Sequence, residues 1–360
     1  MKRFIEYLSE AIGDGPRIPH PEDAIFSGSD VAMQEALALE EIVNAPEKGT
    51  IKWDGSIALY FGNNERGEFF MTDKYMPAKG VFPTSPQGWR DYDAGRGANR
   101  ADLYEKIDTL WDGLKKNVGS SPGTFKGDLM AINPSGLKSD GGAFVFQPTT
   151  VKYTVPVDSS LGQLLQGKVA LLVVHEYNDA PWDGKSGMAN RSNVAVIPPN
   201  AYNTFDLPNK RELLTLVRKA ITTISQYGAT SDAFIDGLDN PARKLLAEYL
   251  NHVRTQRAKD NLQEWLQQHA NKKQYNNLVG ADGNGYLAKN RDGLMALNAI
   301  WQSIFTAKAA IVGSYENQVR GFKQETDKGP GGEGIVFPTS KGLRKLINPY
   351  FGASHFSKER

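Results

Sequence analysis

Apolar positions at the start of the chain recur every three or four residues. Phe4, Ile5, Leu8 and Ile12 predict a short amphipathic helix over about 2–12. GDGPRIPHPED follows as a linker, and VAMQEALALEEIV (31–43) predicts a second helix with Ser29 or Asp30 as its cap. The pattern then changes to strands. TIKWDGSIALYFG (50–62) reads as a buried strand joined through GNNERG to EFFMTDKYM (68–76), a hairpin. Residues 75–98, rich in Gly, Pro and aromatics, read as a loop, and 100–118 as an amphipathic helix. Strands are expected in FKGDLMAI (125–132), GAFVFQP (142–148), TVKYTVP (150–156), VALLVVHEY (169–177) and NVAVIPP (193–199). From residue 208 to 317 the pattern is helical, and EGIVFP (333–338) and GLRKLINPY (342–350) return to strand character. The expectation is an α/β (α+β) chain in which a helical block interrupts a sheet-based domain.

Composition narrows this picture. The 360 residues are 40% hydrophobic and 23% charged, an ordinary globular balance with room for one large or two smaller domains. A formal net charge of +1 means that any nucleic-acid binding must come from a local basic patch. The absence of cysteine excludes disulfides, thiolate metal sites and cysteine nucleophiles. No uninterrupted apolar run approaches the roughly 18 residues that span a bilayer, and no secretory signal is visible. A soluble, cytoplasmic protein is the expectation.

One strand carries residues that burial does not call for. Lys52 and Asp54 stand among Ile51, Ala58, Leu59, Tyr60 and Phe61, in Lys52-Trp53-Asp54-Gly55. Three further elements belong with this one. They are Gly127-Asp128-Leu129-Met130, then Glu333-Gly334-Ile335-Val336 after the glycine-rich KGPGG, and finally Lys345 in LRKLINP, about a dozen residues on. In this order they resemble the motifs of the covalent nucleotidyltransferases: ATP-dependent DNA and RNA ligases and mRNA capping enzymes. The Lys-x-Asp-Gly-Ser form, with Ser56, looks closest to phage RNA ligases. The resemblance covers about 45–205 and 325–355 and rests on the ordered set, since each motif alone is short.

The resemblance implies a ligase-type core of twisted antiparallel sheets with flanking helices, formed by 1–207 and 318–360, with 208–317 as a helical insertion. It implies that Lys52 attacks the α-phosphate of ATP and carries the nucleotide. Asp128 matches the acid that contacts the ribose or the lysine, Glu333 the acid that handles the metal or the lysine, and Lys345 the lysine on the α-phosphate. Lys74, after Asp73, falls where the family often has an arginine contacting phosphate or nucleic acid. Asp54 and Gly55 complete the nucleotide site. His175 or Tyr177, on the VALLVVHEY strand, are the ring candidates for stacking on the purine. Mg²⁺, or Mn²⁺, would be held through Asp128 and Glu333. The implied partner is nucleic acid with 5′-phosphate and 3′-hydroxyl ends, RNA favoured over DNA.

These residue types suit the chemistry. A lysine with its ordinary pKa of about 10.4 is a poor nucleophile until nearby positive charge or partial burial favours the neutral amine. Carboxylates are hard donors for Mg²⁺, and cations neutralise the triphosphate and its leaving pyrophosphate. Glycines permit close approach of backbone and nucleotide.

The sequence also departs from the family. Ile57 stands five positions after Lys52, where DNA ligases carry an arginine. Leu343 and Ile347 flank Lys345 where the last motif often has a second lysine, for which Arg344 or Lys341 could substitute. The chain ends soon after Lys345, before any C-terminal oligonucleotide-binding domain. Two other readings therefore stay open: a nucleotidyltransferase that does not join strands, using GTP or modifying protein, and a nucleic-acid-binding or virion-internal protein on a decayed ligase scaffold. The helical block carries Arg254, Arg257, Lys259, Lys272, Lys273, Lys289 and Arg291 near Trp265, Tyr275 and Tyr286. That set reads either as a strand-binding face or as a solvated helix face. Trp53 reads as core packing. MKRFIEYLSE before Ala11 resembles the capsid-targeting leaders of tailed-phage internal proteins, cleaved after Leu-x-Glu.

Overall fold

The computed structural model describes residues 20–201, 206–255, 261–319, 321–327, 329–349 and 351. The expected helix at 2–12 and the leader lie outside the described residues, as do the side chains of Arg254, Arg257 and Lys259. The strands are β1 (Thr50–Ile51), β2 (Ala58–Asn63), β3 (Phe69–Asp73), β4 (Gly123–Ile132), β5 (Ser139–Asp140), β6 (Ala143–Phe146), β7 (Lys152–Pro156), β8 (Ala170–Tyr177), β9 (Ala180–Pro181), β10 (Val194–Ile197), β11 (Lys323–Thr326), β12 (Gly329–Pro330), β13 (Gly334–Thr339) and β14 (Gly342–Ile347). The helices are α1 (Ser29–Asn44), α2 (Pro86–Gly95), α3 (Ala101–Val118), α4 (Ser160–Leu165), α5 (Lys210–Asp236), α6 (Asn240–Thr255), α7 (Leu262–His269), α8 (Lys272–Leu278), α9 (Tyr286–Lys289) and α10 (Arg291–Glu316), a mixed α/β content. The chain divides into two compact units. One contains Ile51–Asn203 and Val319–Thr326, and the other Ile18–Thr50, Thr204–Gln318 and Asp327–Arg360.

In the first unit the main sheet has the order β10-β8-β4-β2-β3. Its pairings are antiparallel except β8–β10, a parallel departure from the all-antiparallel expectation. Alternation explains its two faces. Leu59 and Phe61 on β2, Phe125 and Leu129 on β4, and Leu172 and Val174 on β8 point into the core beneath α2 and α3. Ile107, Leu110, Trp111, Leu114 and Val118 supply the apolar stripe of α3 at helical spacing. Gly113 lets that helix come close, since a Cβ there would lie 2.4 Å from Val194 Cγ2. On the opposite face Tyr60, Lys126 and Asp128 are only partly buried, while Phe70, Met130, Leu171 and Val173 are buried there too, so this face is open only in part. A second sheet in this unit runs β11-β7-β6-β5, antiparallel throughout.

The structure corrects two local expectations here. Residues 75–98 are not simply a loop. Pro77–Lys79 is a 3-10 turn and Pro86–Gly95 is a helix, started by Pro86 and capped by Ser85, whose Oγ accepts the Gly88 N–H at 3.1 Å. Asp93, fully buried, anchors this helix: it accepts hydrogen bonds from Arg96, Arg100 and Tyr104. The second correction concerns Lys52. Strand β1 ends at Ile51 and β2 begins at Ala58, so the Lys-Trp-Asp-Gly motif lies in the irregular link between them.

In the second unit, α5 and α10 pack lengthwise and α1 lies against α5. Trp301, Ile304, Lys308, Ile311, Val312 and Tyr315 form the buried stripe of α10. This helix is long and apolar enough to cross a membrane by length and composition, but half of its apolar window is buried inside the unit. The predicted cap of α1 is corrected: Ser29 is its first residue, and the Asp232 carboxylate on α5 accepts the Ser29 N–H at 2.7 Å and its hydroxyl at 2.6 Å. A carboxylate there also complements the positive end of the helix dipole. Strands β13 and β14 pair antiparallel, and the Thr50 hydroxyl donates to Val336 O at 3.3 Å.

Candidate functional site

The link between β1 and β2 is fastened through Trp53, Asp54, Ser56 and Ile57. The Asp54 carboxylate accepts the backbone N–H groups of Thr150 (2.8 Å) and Val151 (2.9 Å), and the Asp54 N–H donates to Tyr153 Oη at 2.8 Å. Trp53 is buried, as expected, and its Nε1–H donates to Pro199 O at 3.1 Å. After Gly55 the link pairs with β4: Ser56 N donates to Leu129 O and Leu129 N to Ile57 O, each at 2.9 Å. Gly55 itself lies directly on the second motif. A Cβ at this position would be 2.4 Å from Asp128 Cβ and 3.3 Å from Met130 Sδ, so only glycine allows this approach. Lys52 is half-buried at the start of the link.

Asp128 lies within β4 rather than at its end, opposite Ala58. His175 Nε2 is 2.9 Å from Asp128 Oδ2. The ring proposed as a stacking partner is thus tied to the acid, and it is partly exposed. Tyr177 is placed elsewhere: it stacks on Phe125 at 4.5 Å and its hydroxyl donates to Pro122 O at 2.7 Å. Lys126 bridges Glu176 and Asp179, at 2.8 Å each, on the same partly open face. Burial, and then the Glu176 and Asp128 carboxylates, push the Tyr60 phenol up to about 12, so it stays neutral there.

Gly55, Ser56 and Asp128 line a cavity of about 860 Å³, together with Asp73, Lys74, Arg100 and Lys106. This is the size of a small-molecule site. Lys74 is exposed, 4.9 Å from the Tyr75 ring centroid. Asp73 holds the turn after β3: its Oδ1 accepts the Tyr75 and Met76 N–H groups, and its Oδ2 accepts Arg100 Nη1 at 2.7 Å. Burial works against the Arg100 charge, but hydrogen bonds to Asp93 and Asp73 outweigh it and raise the pKa. Burial likewise works against ionisation of Asp93, and Arg100, Arg96 and Tyr104 overcome it and lower the pKa. Arg100 and Lys106 were not legible as site residues. Each sits at or inside an amphipathic helix whose polar positions look alike in sequence.

Glu333 and Lys345 belong to the second unit. Gly334 begins β13 with φ +136°, and a Cβ there would lie 2.1 Å from Leu346 O, so the glycine of this Glu-Gly pair is required by the hairpin. Glu333 is half-buried, and its carbonyl accepts the Asn348 N–H at 2.9 Å. Lys345 is exposed on β14 opposite Val336, while its neighbour Leu346 is buried. Behind the hairpin, Glu316 accepts the Gly332 N–H at 2.9 Å and the Asn348 side-chain amide at 2.8 Å. Burial pushes the Glu316 carboxyl up to about 7 against the two sets of hydrogen bonds.

That shift has a sign. Between the ordinary carboxyl value and about 7, folded Glu316 holds a proton that the unfolded chain releases. Its contribution is present in full at low pH and lost as pH rises through about 7. Stability should therefore fall by about 3 kcal/mol more in the wild type than in Glu316→Gln between about pH 5 and pH 8. Denaturant unfolding at the two pH values measures this, and parallel pH profiles for the two proteins would contradict it.

Trp265, expected among the aromatics of a strand-binding face, is buried and stacks on His269 at 4.2 Å. Tyr286 donates its hydroxyl to Phe234 O at 2.7 Å. These two rings serve packing. Among the described residues no group of three His, Cys, Asp or Glu is placed to hold a metal ion. Asp128 is the motif carboxylate at the cavity, and Mg²⁺ bound with a nucleotide needs only one or two, the phosphates supplying other oxygens.

No curated protein and no solved structure matches this chain. A family model does match it, over residues 17–359, and the chain belongs to that family, described as a family of unknown function (DUF6267).

Proposed function

We propose that the protein is an ATP-dependent polynucleotide ligase with a ligase-type nucleotidyltransferase core, working through lysyl-AMP on Lys52 and favouring RNA ends over DNA ends. The observation that carries this reading is the contact of Gly55 with Asp128, which locks the Lys-Trp-Asp-Gly link to the acid strand at the wall of a nucleotide-sized cavity. Lys74 and Lys106 give that wall cationic groups suited to a triphosphate, whereas the Arg100 charge is taken up by Asp93 and Asp73.

In this reading the neutral Lys52 amine attacks the α-phosphorus of ATP. The N–P bond forms as the α–β phosphoanhydride bond breaks, pyrophosphate leaves, and the amine sheds a proton to water. AMP then passes to a 5′-phosphate with release of Lys52, and a 3′-hydroxyl displaces AMP to make the phosphodiester. Asp128, held by His175, is positioned to take a ribose hydroxyl or Mg²⁺. Bound Mg²⁺ would neutralise phosphate charge. Glu333 and Lys345 are assigned to the metal and the α-phosphate by the order of the motifs.

The test is self-labelling. Protein first treated with pyrophosphate is incubated with α-labelled ATP and Mg²⁺, denatured, and examined for a covalent adduct, with α-labelled GTP in parallel. The expected result is an ATP label that survives denaturation and disappears in Lys52→Ala. A GTP label would point to a capping-type enzyme. No label with either nucleotide would sink the covalent reading and leave a binding protein on the same scaffold.

A further inference from the structure

A second cavity, of about 380 Å³, adjoins the first and shares Ser56 and Lys106 with it. Its lining differs in kind. Among the described residues, Lys106 and Lys138 are the only ionisable ones in its lining, which includes no carboxylate. Among the described residues neither lysine makes an ion pair, so both charges are available to an anion.

Phe146 is a half-buried ring in this lining, and it ends an aromatic column. It stacks on Tyr153 at 5.3 Å and 18°, Tyr153 on Trp53 at 5.3 Å and 20°, and Trp53 on Phe322 at 4.7 Å and 28°. The three inner rings are buried, and Tyr153 is pinned by the Asp54 N–H. Phe146 is therefore a rigid aromatic platform. Asn133 and Gln147, also in the lining, add hydrogen-bonding groups.

A rigid ring beside cations, without acids, is the chemistry that holds single strands. Bases stack on the ring whatever their identity, and lysines take the backbone phosphates. A peptide would match both features only with an acidic side chain beside an aromatic one, whereas every nucleotide of a strand carries a planar base next to a phosphate. We propose that this smaller cavity binds the end of a single-stranded polynucleotide, with one base stacked on Phe146 and the adjoining phosphates held by Lys106 and Lys138. The proposal deepens the ligase reading by placing the acceptor strand beside the motif link, and it rests on that reading only for the link to catalysis.

The experiment is binding without ATP, which separates it from self-labelling. Fluorescence anisotropy is measured with a short 5′-phosphorylated oligoribonucleotide and with its deoxyribonucleotide counterpart. Phe146→Leu, which keeps an apolar cap on the column, should weaken binding by about ten-fold or more. Lys106→Ala and Lys138→Ala should each weaken it and lower the slope of log affinity against log salt by about 0.7. A strand with an abasic terminal nucleotide should be insensitive to Phe146→Leu yet still sensitive to both lysine changes. The strand type that shows the Phe146 dependence is the ligand. If the wild type binds neither strand, or if all three variants melt like the wild type and bind as tightly, the proposal fails. A protein that self-labels but gives that result sinks this site alone; one that binds as expected but does not label sinks the ligase reading alone.

Discussion

Asp54→Ala should destabilise the first unit by about 2–4 kcal/mol and abolish self-labelling, although Asp54 is not the nucleophile. Its carboxylate is the acceptor for two backbone N–H groups, those of Thr150 and Val151, and both of these residues are buried. Removing it leaves two donors unmet, each costing about 1–3 kcal/mol, with the total reduced where water reaches the half-buried site. The same change frees the link that carries Lys52, because the anchor sits two residues from this proposed nucleophile. Asp54→Asn keeps an acceptor oxygen and loses only the charge-assisted part, about 1 kcal/mol, so it should retain much of the labelling. Chemical denaturation and amide exchange at Thr150 and Val151 measure the first effect, and α-labelled ATP the second. Equal, small losses in both variants, with unchanged amide protection, would show that the carboxylate does not hold the link.

This anchor shows which parts of the site could be read from sequence. Strand β8 was legible as an unbroken apolar run, Ala170–Val174, which is buried on both faces, and so was the hairpin of β2 and β3, whose register begins at Leu59–Asp73 and closes at Asn63–Phe69. The motif glycines were expected to admit a nucleotide; the close approaches seen are within the protein, Gly55 to Asp128 and Gly334 to Leu346 O. The role of Asp54 was not legible. A carboxylate beside a nucleophilic lysine reads as a ligand for nucleotide, whereas its partners are backbone groups about a hundred positions away, which no local pattern reports. The helix at Pro86–Gly95 was hidden for a similar reason. Its glycines and prolines resemble loop composition, and its stability comes from Ser85 at the cap, buried Trp89 and the Asp93 network with Arg96, Arg100 and Tyr104. Arg100 and Lys106 could not be separated from other polar helix positions until the fold set them beside Ser56 and Asp128.

Lys308→Ala should cost about 3–5 kcal/mol in the second unit, since it leaves a buried carboxylate without its cation. Lys308 and Glu22 are 2% and 0% exposed, and Lys308 Nζ is bonded to Glu22 Oε1. Among the described residues Glu22 Oε2 has no hydrogen-bond partner, and His20 Nδ1, partly exposed and 3.9 Å from Glu22 Oε1, is too far to replace the ammonium's hydrogen bond when it is removed. Next to this pair, burial and then the Glu22 charge raise the Asp23 pKa, while Asp23 accepts from Trp301 Nε1 at 3.0 Å. Trp301 and Lys308 are two turns apart on one stripe of α10, so the two acids of the Pro21–Ser27 turn fix the position of that helix. The helix ends at Glu316, which holds Gly332 and Asn348 and through them the hairpin of Glu333 and Lys345. A loss at Lys308 should thus reach the motif hairpin through the helix. Replacing both partners by apolar residues of similar size, Glu22→Leu with Lys308→Met, should recover most of the loss, because no charge is then buried alone. A double-mutant cycle by urea unfolding measures this. If Lys308→Ala costs under about 1 kcal/mol, or the double variant is no more stable than the single one, the pair is not the constraint on α10.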